Sequence, residues 1–240
     1  MALKEITTKA GKFEISYEIL NPKNKKDFIV LHGWGSNKEI MKNALGDTLE
    51  EFRHIYIDMP GFGKSTNSTV LRTEDYKEIM EIFLNALNSD KSIIAGHSFG
   101  GKVATLLQPE LLVLLSSAGI VLEKTPYVKA KILSFKFLKK LGLGKFWNIF
   151  ASNDVKEMNQ NMYETFKNVV DERFDDIFKK YKKPTLLFWG NQDSATPLEC
   201  AKKINSLIID SKLYILDGNH YFFIKHPKTI EKIITEEFHG

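Results

Sequence analysis

The stretch Ser92-Ile93-Ile94-Ala95-Gly96-His97-Ser98-Phe99-Gly100-Gly101-Lys102-Val103-Ala104-Thr105-Leu106-Leu107 decides the fold. Its first four residues are an apolar run, residues 102–107 have a helical pattern, and Gly-x-Ser-x-Gly stands between them. A strand that turns directly into a helix pushes the serine into a strained backbone conformation, with small neighbours and a hydroxyl clear of the sheet. The helix start also leaves free backbone N–H groups beside Ser98, suited to a developing negative charge. The spacing therefore predicts a nucleophile at the carboxyl end of a strand.

A serine hydroxyl needs a base to take its proton and an acid to orient that base. Six histidines compete. His54 falls in a strand pattern, His239 in the terminal tail and His32 just ahead of a glycine turn, while His97 adjoins the nucleophile and faces the wrong way for a base. His220 follows the run 212–216 across Asp217-Gly218-Asn219, at a strand's carboxyl edge, where ligands sit in open α/β sheets. His226, directly before Pro227, is the fallback. For the acid, Asp193 follows the run 185–189 and precedes Pro197; Asp217 is its competitor. The chain order Ser98, Asp193, His220 is the order of one serine-hydrolase architecture and differs from that of the chymotrypsin and subtilisin types. Two backbone N–H donors must converge on the oxyanion, and Phe99 and Trp34, the latter in His32-Gly33-Trp34-Gly35, are the candidates.

Further apolar runs at 28–31, 54–57, 111–115, 185–189 and 212–216, with helical patterns such as 75–87 and 228–238 among them, predict a mostly parallel sheet flanked by helices. A strand at 13–17 is expected to pair antiparallel at one edge. The rhythm breaks over residues 120–184, which show helical periodicity and no strand pattern. The expected organisation is a core of residues 1–119 and 185–240 with a helical cap inserted at 120–184.

The 240 residues carry 43% hydrophobic and 27% charged positions, a globular balance that disfavours collagenous, coiled-coil and disordered classes. One cysteine, Cys200, excludes an internal disulfide and is expected to pack inward from a helix. No metal-ligand spacing is convincing, and no metal or cofactor is expected. Gly61-Phe62-Gly63-Lys64-Ser65 ends like a phosphate loop, but position 58 is Asp where that pattern needs Gly, so a surface turn is expected. Net charge is +4, yet arginine occurs only at 53, 72 and 173, which gives little support to nucleic-acid binding. With no spanning stretch and no leader pattern, the expectation is a cytoplasmic protein without membrane association.

The motifs His32-Gly33-Trp34-Gly35, Asp58-Met59-Pro60-Gly61-Phe62-Gly63-Lys64-Ser65, Gly96 to Gly101, Gly190-x-x-Asp193-x-x-x-Pro197 and His220 with His226-Pro227 together resemble the α/β-hydrolase superfamily over the chain outside the insertion. The resemblance implies an eight-strand-like sheet with a helical cap. Serine at 98 argues against epoxide hydrolases and haloalkane dehalogenases, which use aspartate there. Within the superfamily the chain looks like the carboxylesterases that demethylate pimeloyl-carrier-protein methyl ester in biotin synthesis, although His97 stands where that family tends to carry tryptophan. Hydrolases of carbon–carbon bonds in ring-fission products are the rival, poorly matched in the oxyanion segment and in cap arginines. A non-catalytic ligand-binding protein of the same fold is a third reading.

The expected function is a serine hydrolase cleaving carboxylic esters through an acyl-enzyme, on a small-molecule or carrier-protein-linked substrate. Between Val121 and Phe150 seven lysines face Glu123 alone, a net charge of +6 that would attract an acidic partner such as an acyl carrier protein. Phe135, Phe137, Phe146, Trp147 and Phe150 are interleaved there as candidate walls of an acyl tunnel.

Overall fold

The computed structural model describes residues 1–122 and 159–239. Its core is one eight-stranded sheet in the order β1-β2-β4-β3-β5-β6-β7-β8. The strands are β1 (Ala2–Thr8), β2 (Gly11–Leu20), β3 (Asp27–Leu31), β4 (Arg53–Ile57), β5 (Ile93–His97), β6 (Leu111–Leu115), β7 (Thr185–Gly190) and β8 (Ser211–Leu216). From β4 across to β8 every pairing is parallel, while β2 runs antiparallel to both β1 and β4.

Helices cover both faces, which is why β3, β5, β6 and β7 are buried along their whole length and read as unbroken apolar runs. On one face Phe28 and Val30 of β3 pack with Met41 and Leu45 of α1 (Lys38–Leu45) and with Ile230 and Ile234 of the C-terminal helix (Pro227–His239). On the other, Ile29 and Leu31 join Tyr76, Ile79 and Phe83 of α2 (Thr73–Asn85), Val103 and Leu107 of α3 (Phe99–Leu107), and Ile204 of the helix Leu198–Leu207. That last helix also buries Cys200. Burial of these alternating side chains is the main stabilising term, at about 1.5–3 kcal/mol for each large apolar residue.

Two expectations need correction. The strand expected at 13–17 is not the edge: it is the middle of β2, and β1 lies outside it, joined by the turn Lys9-Ala10. Only Ile6 of β1 is buried, so the strand reads as a polar tail. The turn at 61–65 is only partly a surface turn. Phe62 and Ser65 are buried, and Ser65 Oγ accepts from the Ser16 N–H at 2.8 Å while donating to the Asp58 carbonyl at 2.6 Å.

Of the expected insertion, residues 123–158 lie outside the described residues, and with them the lysines and aromatics singled out above. Its described part holds α4 (Gln160–Val169) and α5 (Asp175–Lys180).

Candidate active site

Strand order turns around at β3, whose neighbours β4 and β5 lie on opposite sides. The loops leaving β3 and β5 therefore diverge and open a crevice at the carboxyl edge of the sheet, the usual binding place in open α/β folds. Ser98 leaves β5 there, and Gly33 and Trp34 leave β3.

Ser98 has φ 50° and ψ −115°, a conformation that non-glycine residues rarely hold. Three backbone hydrogen bonds fix it: its N–H donates to the Leu115 carbonyl at 3.1 Å, and its carbonyl accepts from Gly101 and Ala118 at 3.0 Å each. The turn is tight because α3 starts at Phe99 and lies almost on β3. A Cβ on Gly100 would sit 2.5 Å from the His32 carbonyl oxygen, which only glycine avoids. As the first helical residue, Phe99 has no intrahelical acceptor for its N–H.

His32 is a clamp. Its Nε2 accepts from the Met59 N–H at 3.0 Å, so Nδ1 carries the proton and donates to the Gly33 carbonyl at 2.7 Å. Burial pushes its pKa down to about 4 and keeps the ring neutral. The ring thereby ties the turn bearing Trp34 to the loop after β4. That loop in turn wraps a buried ion pair, with Lys38 Nζ donating to Asp58 Oδ2 at 2.6 Å and the Lys64 N–H donating to the same oxygen at 3.1 Å. Phe62, carried by the loop, packs edge-on against Trp34 with ring centroids 4.8 Å apart.

Asp193 and His220 meet from the ends of β7 and β8. His220 Nδ1 lies 2.8 Å from Asp193 Oδ2, with the carboxylate buried and the imidazole 18% exposed. The Ala195 and Thr196 N–H groups donate to Asp193 Oδ1 at 2.9 Å each, and the Thr196 hydroxyl donates to Oδ2 at 2.9 Å. Burial alone would raise the Asp193 pKa, but the hydrogen bonds from His220 and from the Thr196 backbone outweigh it and hold the carboxyl well below the usual carboxylate range. An ionised carboxylate here accepts the Nδ1 proton, which leaves Nε2 of His220 as the free base nitrogen. Thr196 was not legible as a site residue; the Asp193-x-x-Thr196-Pro197 spacing, a turn closing on a helix start, is the signal that marks it.

The other candidates fall elsewhere. Asp217 accepts from Gln192 Nε2 at 3.0 Å, and His226 Nε2 donates to the Asp217 carbonyl at 2.7 Å. Neither contact reaches His220. His54 is buried between the Leu49 carbonyl and the Tyr56 hydroxyl.

A cavity of about 220 Å³ opens against Ser98, with Trp34, Phe99, Ile120, Phe166 and Val169 among its walls. Every described residue lining it is uncharged. The arrangement sets a hydroxyl and two candidate backbone donors against an apolar slot, with an Asp193-bound imidazole carried by the loop after β8 at the same edge of the sheet. No cluster of potential metal ligands occurs among the described residues, and no described helix is long and apolar enough to cross a membrane.

A family model described as the alpha/beta hydrolase fold matches residues 27–110. A pimeloyl-[acyl-carrier protein] methyl ester esterase of Wigglesworthia glossinidia brevipalpis is 29% identical, over 87% of this chain and 92% of its own. A 2-hydroxy-6-oxo-6-(2'-aminophenyl)hexa-2,4-dienoic acid hydrolase of Metapseudomonas resinovorans is 28% identical, over 91% of this chain and 85% of its own. The solved esterase of Exiguobacterium antarcticum superposes with a TM-score of 0.76 at 20% identity, covering 98% of this chain and 99% of that one. The chain has the α/β-hydrolase fold and resembles these esterases.

Proposed function

We propose that this protein of α/β-hydrolase fold is a serine hydrolase of carboxylic esters, with Ser98 as nucleophile, His220 as base and Asp193 as its orienting acid. The observation that carries this reading is the 2.8 Å contact of His220 Nδ1 with a buried Asp193, at the same sheet edge as the strained Ser98. As Ser98 Oγ attacks the acyl carbon, its proton passes to His220 Nε2, and the Asp193 carboxylate stabilises the imidazolium. The Phe99 and Trp34 N–H groups receive the oxyanion. Collapse expels the alcohol with the proton from His220, and water, activated by the same imidazole, releases the acid.

The uncharged described wall of the cavity favours an acyl chain without a charge near the ester. It disfavours the carbon–carbon hydrolase reading, because a dienoic acid brings a carboxylate that no described lining residue would pair. A pimeloyl-carrier-protein methyl ester fits better: its scissile end is neutral, and the lysine-rich segment 121–150 supplies attraction for an acidic carrier.

The test is labelling by a fluorophosphonate, with Ser98→Ala as control, followed by hydrolysis of a pimeloyl-carrier-protein methyl ester, a small uncharged ester and a dienoic acid. Labelling and ester turnover that both vanish in Ser98→Ala support the reading; a folded protein that neither labels nor hydrolyses any ester is a ligand-binding protein instead. Lys136→Glu, Lys139→Glu and Lys140→Glu together should raise KM for the carrier-linked ester alone. An equal effect on both esters removes the carrier from the proposal.

A further inference from the structure

His97 has no part in the chemistry just described, yet it touches both the turn that carries Trp34 and the loop that carries His220. Only 1% of it is exposed. Its Nε2 lies 3.0 Å from the backbone carbonyl oxygen of His220, and because a carbonyl only accepts, that nitrogen carries the ring proton. Its ring rests against the His220 ring with centroids 4.6 Å apart, and against Phe223 at 4.9 Å. On its other side, a Cβ on Gly33 would come within 2.9 Å of His97 Nδ1 and 3.1 Å of Ser98 Cβ, so the Trp34 turn closes onto His97 only because position 33 is glycine.

The need for such a contact follows from topology. Ser98 leaves β5 and His220 leaves β8, an edge strand separated from β5 by β6 and β7. No ladder hydrogen bond sets the distance between nucleophile and base. Asp193 holds the rotation of the imidazole, but it is carried by the loop after β7 and does not reach the strand of the nucleophile.

Accepting the hydrolase reading, we propose that His97 is a positioning residue: its Nε2–H holds the main chain of His220 and sets the base at working distance from the adjoining Ser98. Burial, and then the neighbouring His220, push the His97 pKa down to about 3, so the ring adds no charge beside the imidazolium that forms on His220. Replacement by an apolar ring leaves the His220 carbonyl without its donor and the loop free to shift, and misplacement by about 1 Å costs up to about 10²-fold in rate.

The experiment compares three variants with wild type on p-nitrophenyl butyrate. In His97→Gln the amide nitrogen can still reach the carbonyl, in His97→Asn it is one methylene short, and in His97→Phe the ring remains without a donor. Expected is a fall in kcat of about 10- to 10²-fold for Asn and Phe with KM unchanged, and recovery of most of kcat in Gln. The second readout is the low-field NMR resonance of the His220 Nδ1 proton, which should persist in Gln and broaden or vanish in Asn and Phe. Equal losses in Gln and Asn, or an unaltered kcat in Phe, overturn the proposal; if Phe does not fold, the Gln and Asn pair decides. If the wild type hydrolyses no ester, the hydrolase reading fails by itself, and the proton resonance still decides whether His97 holds His220.

Discussion

Lys102, on the first turns of the helix that follows Ser98, reaches Glu172 Oε2 at 2.5 Å with a side chain only 1% exposed. Its ammonium also donates to the Val169 carbonyl at 2.8 Å and lies over the Phe174 ring at 4.8 Å. The contact fastens α3 to the end of α4, and both Phe99 and Val169 at its flanks line the cavity. Burial lowers the Lys102 pKa, and the Glu172 carboxylate opposes that shift. The two partners are unequal, since Glu172 is 23% exposed and also accepts from the Thr73 hydroxyl.

From that inequality, Glu172→Gln should destabilise the fold more than Lys102→Met does. The first leaves an ammonium buried without its counter-charge, a loss of about 3 kcal/mol or more; the second leaves a carboxylate that water can still reach. Urea midpoints of the two variants check the order. A reversed order would mean that the Val169 carbonyl and the aromatic faces hold the ammonium without Glu172.

Replacement of Ser98 separates strain from chemistry. Ser98→Ala and Ser98→Gly should both lower ester turnover roughly 10³-fold or more, because nucleophile, base and acid act as a unit. Glycine alone should also raise the melting temperature relative to alanine, since it holds φ 50° without a Cβ penalty, a gain of about 1 kcal/mol. Calorimetry showing equal stability for the two variants would argue that the turn stores no strain.

The turn at Ser98 was legible because it packs a steric requirement into the six residues 96–101, and β3, β5, β6 and β7 were legible because burial on both faces leaves them continuous apolar runs. Asp193 was singled out because it follows one such run, and His220 because it follows the half-buried strand β8 across a glycine turn. What stayed hidden depends on contacts between distant segments. The contact of His97 with the His220 carbonyl joins positions 123 residues apart, and neither neighbourhood announces it. Lys102 reads as an ordinary helix residue until the chain beyond α4 returns with Glu172. Edge strand β1, with Ile6 alone buried, carries almost no period to detect.

Acid should unfold the protein through its neutral buried histidines. The folded-state values of about 4 for His32 and about 3 for His97 lie below the ordinary 6.5, so the unfolded chain binds protons first as pH falls. Their contribution is fully present above pH 6.5 and is lost as pH drops toward those folded values, by about 2 kcal/mol for each histidine at pH 5. Asp193, held low in the folded state, adds its own loss only below the usual carboxylate range. Urea titrations at pH 7 and pH 5 measure the drop, to which buried His54 adds in the same direction, and His97→Gln should remove the share of His97, about 2 kcal/mol. An unchanged midpoint between the two pH values would mean that the rings are not held neutral.

Acyl-chain preference follows from the walls of the cavity. Phe166 of α4 packs on Trp34 with centroids 5.3 Å apart, and the two rings bound a space of about 220 Å³ beside Ser98. Each methylene that enters an apolar cavity is stabilised by about 0.8 kcal/mol, close to 4-fold in kcat/KM. Across p-nitrophenyl esters from acetate to decanoate, kcat/KM should therefore climb by roughly that factor per methylene and then break once the cavity is full. Phe166→Ala removes one wall without touching Ser98, Asp193 or His220, so the break should move to longer chains while turnover of the acetate ester stays nearly unchanged. A break that stays in place would assign the limiting wall to another residue. A flat series in both proteins would mean that the acyl chain does not enter this cavity, and the alcohol side of the ester would then occupy it.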